Sequence, residues 1–321
     1  MASSKMLSAD THSQGVGRQP TLGPVRRKWR HSALRRRQIR VAYLFCVPSL
    51  VVFSVFVLYP IFQGVRVSFY DYNPFSETFI GLQNYQALLA DDRFGNALKN
   101  TLVYALIVTV ATVVLALLIA IALNSSIAFR GFTRSIVFMP FVLSMAVISI
   151  CFTFLLDPDI GWYSYLFTRI GLPPIAFLRD PFWAMIAVMV VGVWKSVGYY
   201  SVIFLAGLQQ IPKELYEAAE VDGVNRFQRF WRVTLPLLSN TTMIVSVLAL
   251  IAGLQVFDQI FVMTGGGPFF STESLVGLIY FRGFNELRMG YASAMAVIFT
   301  LIILVLSFIQ IGFFNKRAVQ F

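Results

Sequence analysis

Polar and ionisable side chains inside long apolar runs are the residues of this sequence most able to do chemistry. A charge at the centre of a bilayer costs about 2.5–3.5 kcal/mol on insertion scales, so such residues are rare and usually functional. Lys195 stands near the middle of the apolar run 182–208, beside Ser196 and among Trp194, Tyr199 and Tyr200. In the run 241–263 the polar intrusions are Gln255 and Asp258, with Ala252 and Gly253 opening space beside them. Aromatic faces next to a few polar groups suit noncovalent recognition of a sugar-like solute, by stacking and hydrogen bonding. Lys195, Ser196, Tyr199, Gly253, Gln255 and Asp258 are therefore the candidates to line a solute path. Two readings of Lys195 stand level: solute contact, or snorkelling or a structural bond to a carbonyl or to a partner chain. For Asp258 a structural hydrogen bond is favoured over solute contact. At a rise of about 1.5 Å per residue, Lys195 lies roughly 20 Å and Asp258 about 8 Å below the outer ends of their runs, so no direct pair is expected.

Covalent chemistry is excluded more easily. There is no GxxxxGK[ST] phosphate loop, no HExxH and no CxxC, and the only histidines, His12 and His31, fall in the N-terminal tail. No catalytic residue, metal site or cofactor is expected in this chain. Cys46 and Cys151 lie in apolar runs and are read as small buried hydrophobes.

The elements that must position the candidates follow from composition. The chain of 321 residues is 57% hydrophobic and 13% charged, against about 25% charged in a typical soluble domain. A spanning helix needs about 20 mostly apolar residues. Six runs meet this, at about 41–62, 101–123, 135–156, 182–208, 241–263 and 291–314. The expected fold is all-α, a polytopic membrane protein of six spans (41–321) behind a disordered basic tail, 1–40. The net charge of +11 does not indicate nucleic acid, because much of it sits immediately before the first run, as a topology determinant and lipid anchor. With the N-terminus inside, sixteen Lys and Arg residues flank the spans on the inner side and seven on the outer. That bias places both termini in the cytoplasm.

Between the fourth and fifth spans lies a polar island, 209–240, too structured for a simple turn. Pro212 and Glu214 suit a helix start, Lys213 and Glu217 an i,i+4 pair, Gly223 a helix end and Asn225 the cap of a second helix closed by Leu235-Pro236. Two short helices carrying aromatics form a knob for a partner's groove. The alternative is an amphipathic loop resting on lipid headgroups.

Glu217-Ala218-Ala219, three residues, Gly223, nine residues, Val233, one residue and Leu235-Pro236 resemble the EAA loop of ABC-importer permeases, with Val233 where isoleucine is usual. FIGLQNYQALLADDRFGNALKNT, VWKSVGYYSVIFLAGLQQIP, FDQIFVMTGGGPFFSTES and MGYASAMAV are similar to the carbohydrate-uptake branch of that family, of maltose and glycerol-phosphate permease type. The resemblance covers 43–314. It implies a bacterial or archaeal plasma-membrane permease paired with a second permease, two cytoplasmic ATPase subunits that bind ATP and Mg, and an extracytoplasmic solute-binding protein. It makes Glu217, Ala218, Ala219, Asp222, Gly223, Leu235 and Pro236 the ATPase-coupling residues, and it favours Tyr199 in the solute path. The TGGGP loop, 264–268, is either a tight turn or part of the binding-protein dock. The rival readings are a stand-alone ion-coupled transporter, for which no inverted repeat or paired intramembrane acids are found, and a scaffold without flux.

Overall fold

The computed structural model describes residues 33–125 and 129–315; of the tail expected to be disordered, 1–40, residues 1–32 lie outside them and 33–40 are helical instead. The chain divides into two units, Met1–Leu58 and Tyr59–Phe321. The described part of the first is a helix, α1 (Ala33–Phe53), containing Pro48 and ending in a π-helical turn, Ser54–Leu58.

In the second unit α2 (Tyr59–Val67) leads into a hairpin of β1 (Tyr70–Asn73) and β2 (Ser76–Phe79), paired antiparallel from Tyr70 with Phe79 to Asn73 with Ser76. The Asn73 side chain makes the turn by accepting the N–H groups of Phe75 and Ser76. The short helix α3 (Gln83–Leu89) is tied to this hairpin by Asn84, which donates to the carbonyls of Ser68 and Tyr70, both at 2.9 Å. Among the described residues the hairpin is the one sheet, and periodicity did not foreshadow it.

Next come α4 (Asp92–Asn124), α5 (Arg130–Val142), α6 (Met145–Leu155), α7 (Trp162–Arg169) and α8 (Pro181–Gln209). The island supplies α9 (Lys213–Val221), α10 (Arg226–Arg229) and α11 (Leu235–Leu237). The fifth run is split into α12 (Ser239–Leu254) and α13 (Asp258–Met263), and α14 (Leu275–Tyr280) precedes α15 (Met289–Asn315).

Among the described residues five helical segments are long and apolar enough to cross a membrane: Val41–Val67, Asp92–Asn124, Pro181–Gln209, Ser239–Met263 and Met289–Phe314. The third run differs from expectation. It forms two helices, Gly131–Val142 and Met145–Leu155, bent by 91° at Leu143-Ser144, and counts as a sixth span only as this pair.

The bundle is centred on α4 and α8, against which α12 and α5 pack. One face of α4 is small or polar and buried (Ala97, Thr101, Ala105, Thr112, Ala116, Ala120), while Leu102, Leu106, Val110, Val114 and Leu118 are exposed. Small residues let backbones approach where lipid offers no hydrophobic drive for association, and bulky ones meet the acyl chains. By the same sorting Cys46 and Cys151 are exposed on their helices, not buried as expected.

Candidate functional site

The structure gathers five of the six solute candidates around one cavity of about 220 Å³. Lys195, Ser196, Gly253, Gln255 and Asp258 line it together with Tyr104, Thr112, Gly192, Tyr200 and Gln259. The reason is the split in the fifth run: α12 stops at Leu254, Gln255 to Phe257 leave the helix, and Asp258 opens α13, which packs on α6 and α8. A run broken this way does not hold its residues at the depths of a straight rod. Lys195 and Asp258 therefore share a cavity although a depth difference was expected, and they make no ion pair among the described residues.

Lys195 donates from Nζ to the Phe141 carbonyl at 3.2 Å and lies 5.1 Å from that ring's centroid. The carbonyl is close to the bend after α5, where backbone acceptors lose their helical donors. Tyr199 is not on the cavity wall. It stacks on Phe141, centroids 4.4 Å apart, and so touches the cavity's cation only through that ring. Ser196 bonds back to the Gly192 carbonyl at 2.7 Å and faces Thr112. Gly253 is where α12 meets α4: a Cβ there would sit 3.1 Å from the Ala105 Cα. Tyr104 and Gln259, hydrogen-bonded to each other in the cavity wall, were missed from sequence. Their signal was weak, since one amide beside Asp258 and one tyrosine among apolar residues do not stand out.

At the far end of the same unit the island forms a compact knob. α9 ends in a Schellman motif: Gly223 takes φ of 72°, its N–H reaches the Glu220 carbonyl at 3.1 Å, and the Val224 N–H reaches that of Ala219 at 3.0 Å. Asn225 then opens α10 with a capping box completed by Gln228. Ala219 is buried, whereas Glu217, Ala218, Asp222 and Gly223 are exposed. Val221 and Phe227 are 88% and 73% exposed. The expected Lys213–Glu217 ion pair does not form among the described residues.

Leu235-Pro236 does not close the second helix, contrary to expectation. Pro236 has no N–H and its ring would crowd the Arg232 carbonyl. The chain answers with a π-helical turn, Phe230–Thr234, in which the Leu235 N–H reaches the Phe230 carbonyl, and then runs on through α11 into α12. The island and the edge of the polar cavity are thus joined by nearly continuous helix from Arg226 to Leu254, about 40 Å at 1.5 Å per residue.

The end opposite the island is locked by ion pairs. Arg93 grips Glu273 at 2.9 and 2.7 Å and lies 4.0 Å from the Phe270 ring centroid. Asp91 caps α4 and accepts from Tyr291 and Arg282 at 2.7 and 3.2 Å. Burial pushes the Asp91 carboxyl up, but the Tyr291 hydroxyl, the Phe94 and Arg93 N–H groups and the Arg282 charge together hold it below its ordinary value. The TGGGP loop is a folded turn: the Thr272 hydroxyl donates to the Gly267 carbonyl at 2.8 Å and lies 2.7 Å from that of Thr264.

Comparison with known proteins gives a consistent answer. Residues 112–319 match the model of the binding-protein-dependent transport system inner membrane component. A probable ABC transporter permease protein of Bacillus subtilis, YurN, is 39% identical over 86% of this chain and 96% of its own. The sn-glycerol-3-phosphate transport system permease protein UgpA of Agrobacterium fabrum is 35% identical over 86% of this chain and 94% of its own. A crystal structure of a bacterial alginate ABC transporter, in complex with an alginate pentasaccharide-bound periplasmic protein, contains a chain that aligns with a TM-score of 0.77 at 26% identity. The alignment covers 87% of this chain and 96% of that one.

Proposed function

The chain belongs to the family of binding-protein-dependent transport system inner membrane components, and from that premise we propose that it shares the path of a sugar or sugar-like solute with a second permease. It is a multi-pass inner-membrane permease subunit of an ABC importer and not an enzyme; in this family ATP is bound by separate ATPase subunits. In our reading the permease pair sits on two such ATPases, one of which seats the 209–240 loop of this chain in a cytoplasmic cleft, and an extracytoplasmic binding protein delivers solute to the opposite end. The charge asymmetry of sixteen to seven supports cytoplasmic termini and a cytoplasmic loop. Residues 41–321 then form the permease domain and 1–40 a cytoplasmic tail.

The observation that carries the proposal is the helical link from loop to cavity. A push on the knob formed by Glu217, Ala218, Asp222 and Gly223 passes along α10, α11 and α12 to Gln255, where the helix breaks beside Lys195. Leu235 and Pro236 serve as part of that rod. Closure of the ATPase pair on ATP would rock α12 against α4 and α8 and change access to the cavity. There Lys195, Ser196, Gln255 and Asp258 offer hydrogen bonds to solute hydroxyls, Gly253 keeps the space open, and Tyr199 braces Phe141 from behind. A solute of polysaccharide or glycerol-phosphate type is supported by the alginate transporter and the glycerol-3-phosphate relative.

Co-purification tests the docking. Glu217→Arg is expected to lose the ATPase subunits, and a complex as intact as wild type refutes the seating of the loop. Uptake tests the path: Lys195→Ala and Gln255→Ala should both slow transport with the complex intact, and unchanged uptake in both removes the cavity from the route.

A further inference from the structure

A second cavity, of about 390 Å³, opens at the foot of the island, and its chemistry differs from the first. Arg226 and Arg229 line it with Tyr216, Asn124, Leu208 and Phe230. Asn124 ends the apolar segment Asp92–Asn124, and Leu208 is next to last in Pro181–Gln209. The cavity therefore sits where hydrocarbon gives way to headgroups, with an apolar floor on one side and cations on the other. Neither arginine forms an ion pair among the described residues. Arg229 is held over the Tyr216 ring at 5.6 Å, and the Tyr216 hydroxyl lies 3.3 Å from that of Thr234, which also lines the cavity.

Two guanidiniums without carboxylate partners, a phenol and an amide converging at this depth are a donor set for a phosphate diester. The adjoining apolar floor suits the first carbons of acyl chains. We propose that this cavity binds the headgroup of an anionic phospholipid, with phosphate on Arg226 and Arg229 and the chains along the half-buried Ile121 and Phe230. A bound lipid would then wedge between the end of α8 and α10. The lipid would brace the island against the bundle at the start of the helical link, so the anionic lipid content of the membrane would tune coupling. The same phosphate chemistry could come from a soluble anion; the apolar floor at the bilayer edge favours the lipid.

The test uses the full chain purified in mild detergent with the subunits it carries, titrated with phosphatidylglycerol or phosphatidylcholine and read by native mass spectrometry. Wild type is expected to retain phosphatidylglycerol in preference to phosphatidylcholine. Arg226→Gln/Arg229→Gln should weaken that retention roughly thirtyfold, as expected for the loss of two arginine contacts. The charge-matched pair Arg226→Lys/Arg229→Lys should keep much of it, which guards against misfolding of the glutamine variant, and Arg232→Gln, outside the cavity, should leave it unchanged. Unaltered retention in the glutamine pair overturns the proposal. Displacement of the lipid by millimolar inorganic phosphate would assign the site to a soluble anion and overturn it too. Loss of ATPase subunits from the glutamine pair with lipid retention intact would give the arginines to a protein partner and would equally overturn it. Because the readout is lipid mass and not transport, failure here leaves the transport reading standing.

Discussion

Substituting Gly223 isolates one physical term in the coupling loop. Its φ of 72° lies in the left-handed region, and a Cβ added there would meet nothing within 4 Å. A Cβ therefore meets no clash within the chain, and the effect on the free loop is backbone conformation. An L-residue in that region costs about 1–2 kcal/mol, partly offset by roughly 0.4–1 kcal/mol because alanine has less freedom than glycine in the unfolded loop. Gly223→Ala should thus disfavour the ordered knob by about 1 kcal/mol, which lowers affinity for the ATPase subunit by at most about fivefold, the limit reached when the ordered knob is the minor state. Gly223→Asn should lose less, since asparagine tolerates the left-handed region, and Gly223→Val more, since a β-branched residue does not. The assay is the Kd of the purified ATPase for the permease in lipid nanodiscs, with solute-stimulated ATP hydrolysis alongside. The order glycine, asparagine, alanine, valine is the expected result. Equal affinity in all four, or asparagine worse than valine, would refute the claim that the Schellman turn presents the docking surface.

Three further outcomes follow from the packing. Gly253→Leu should overpack the α12–α4 contact, where a Cβ already approaches the Ala105 Cα to 3.1 Å, and destabilise the bundle by about 1–3 kcal/mol in thermal unfolding. Arg93→Met leaves Glu273, with a side chain 8% exposed, as an uncompensated buried charge and should cost about 3–5 kcal/mol; adding Glu273→Leu should recover much of it. A double variant no more stable than the single one contradicts that account. Asp91 has a lowered value in the folded state, so its contribution is present above the ordinary 3.8 and is lost as pH falls through and below that value. Unfolding temperatures measured from pH 6 down to about 3 should fall more steeply in wild type than in Asp91→Asn.

Much of this protein is set by one-dimensional properties of its sequence. Run length against bilayer thickness defines the spans, and basic residues mark one side of them. A glycine three residues before a cappable helix makes the Gly223 turn, because its Schellman and capping bonds close within a few residues. The EAA spacing is legible for the same reason. The interior was decided elsewhere. Nothing in residues 135–156 announces a 91° bend at Leu143-Ser144, because either a straight or a broken helix satisfies the same apolar count. The break at 255–257 likewise depends on α13 packing against α6 and α8, and it alone brings Asp258 to the cavity of Lys195. Tyr199, about 100° around α8 from Tyr200, falls outside that cavity and stacks on Phe141 instead. Local hydrogen bonding and burial length are written along the chain, whereas which polar groups converge depends on how several helices share one small interior.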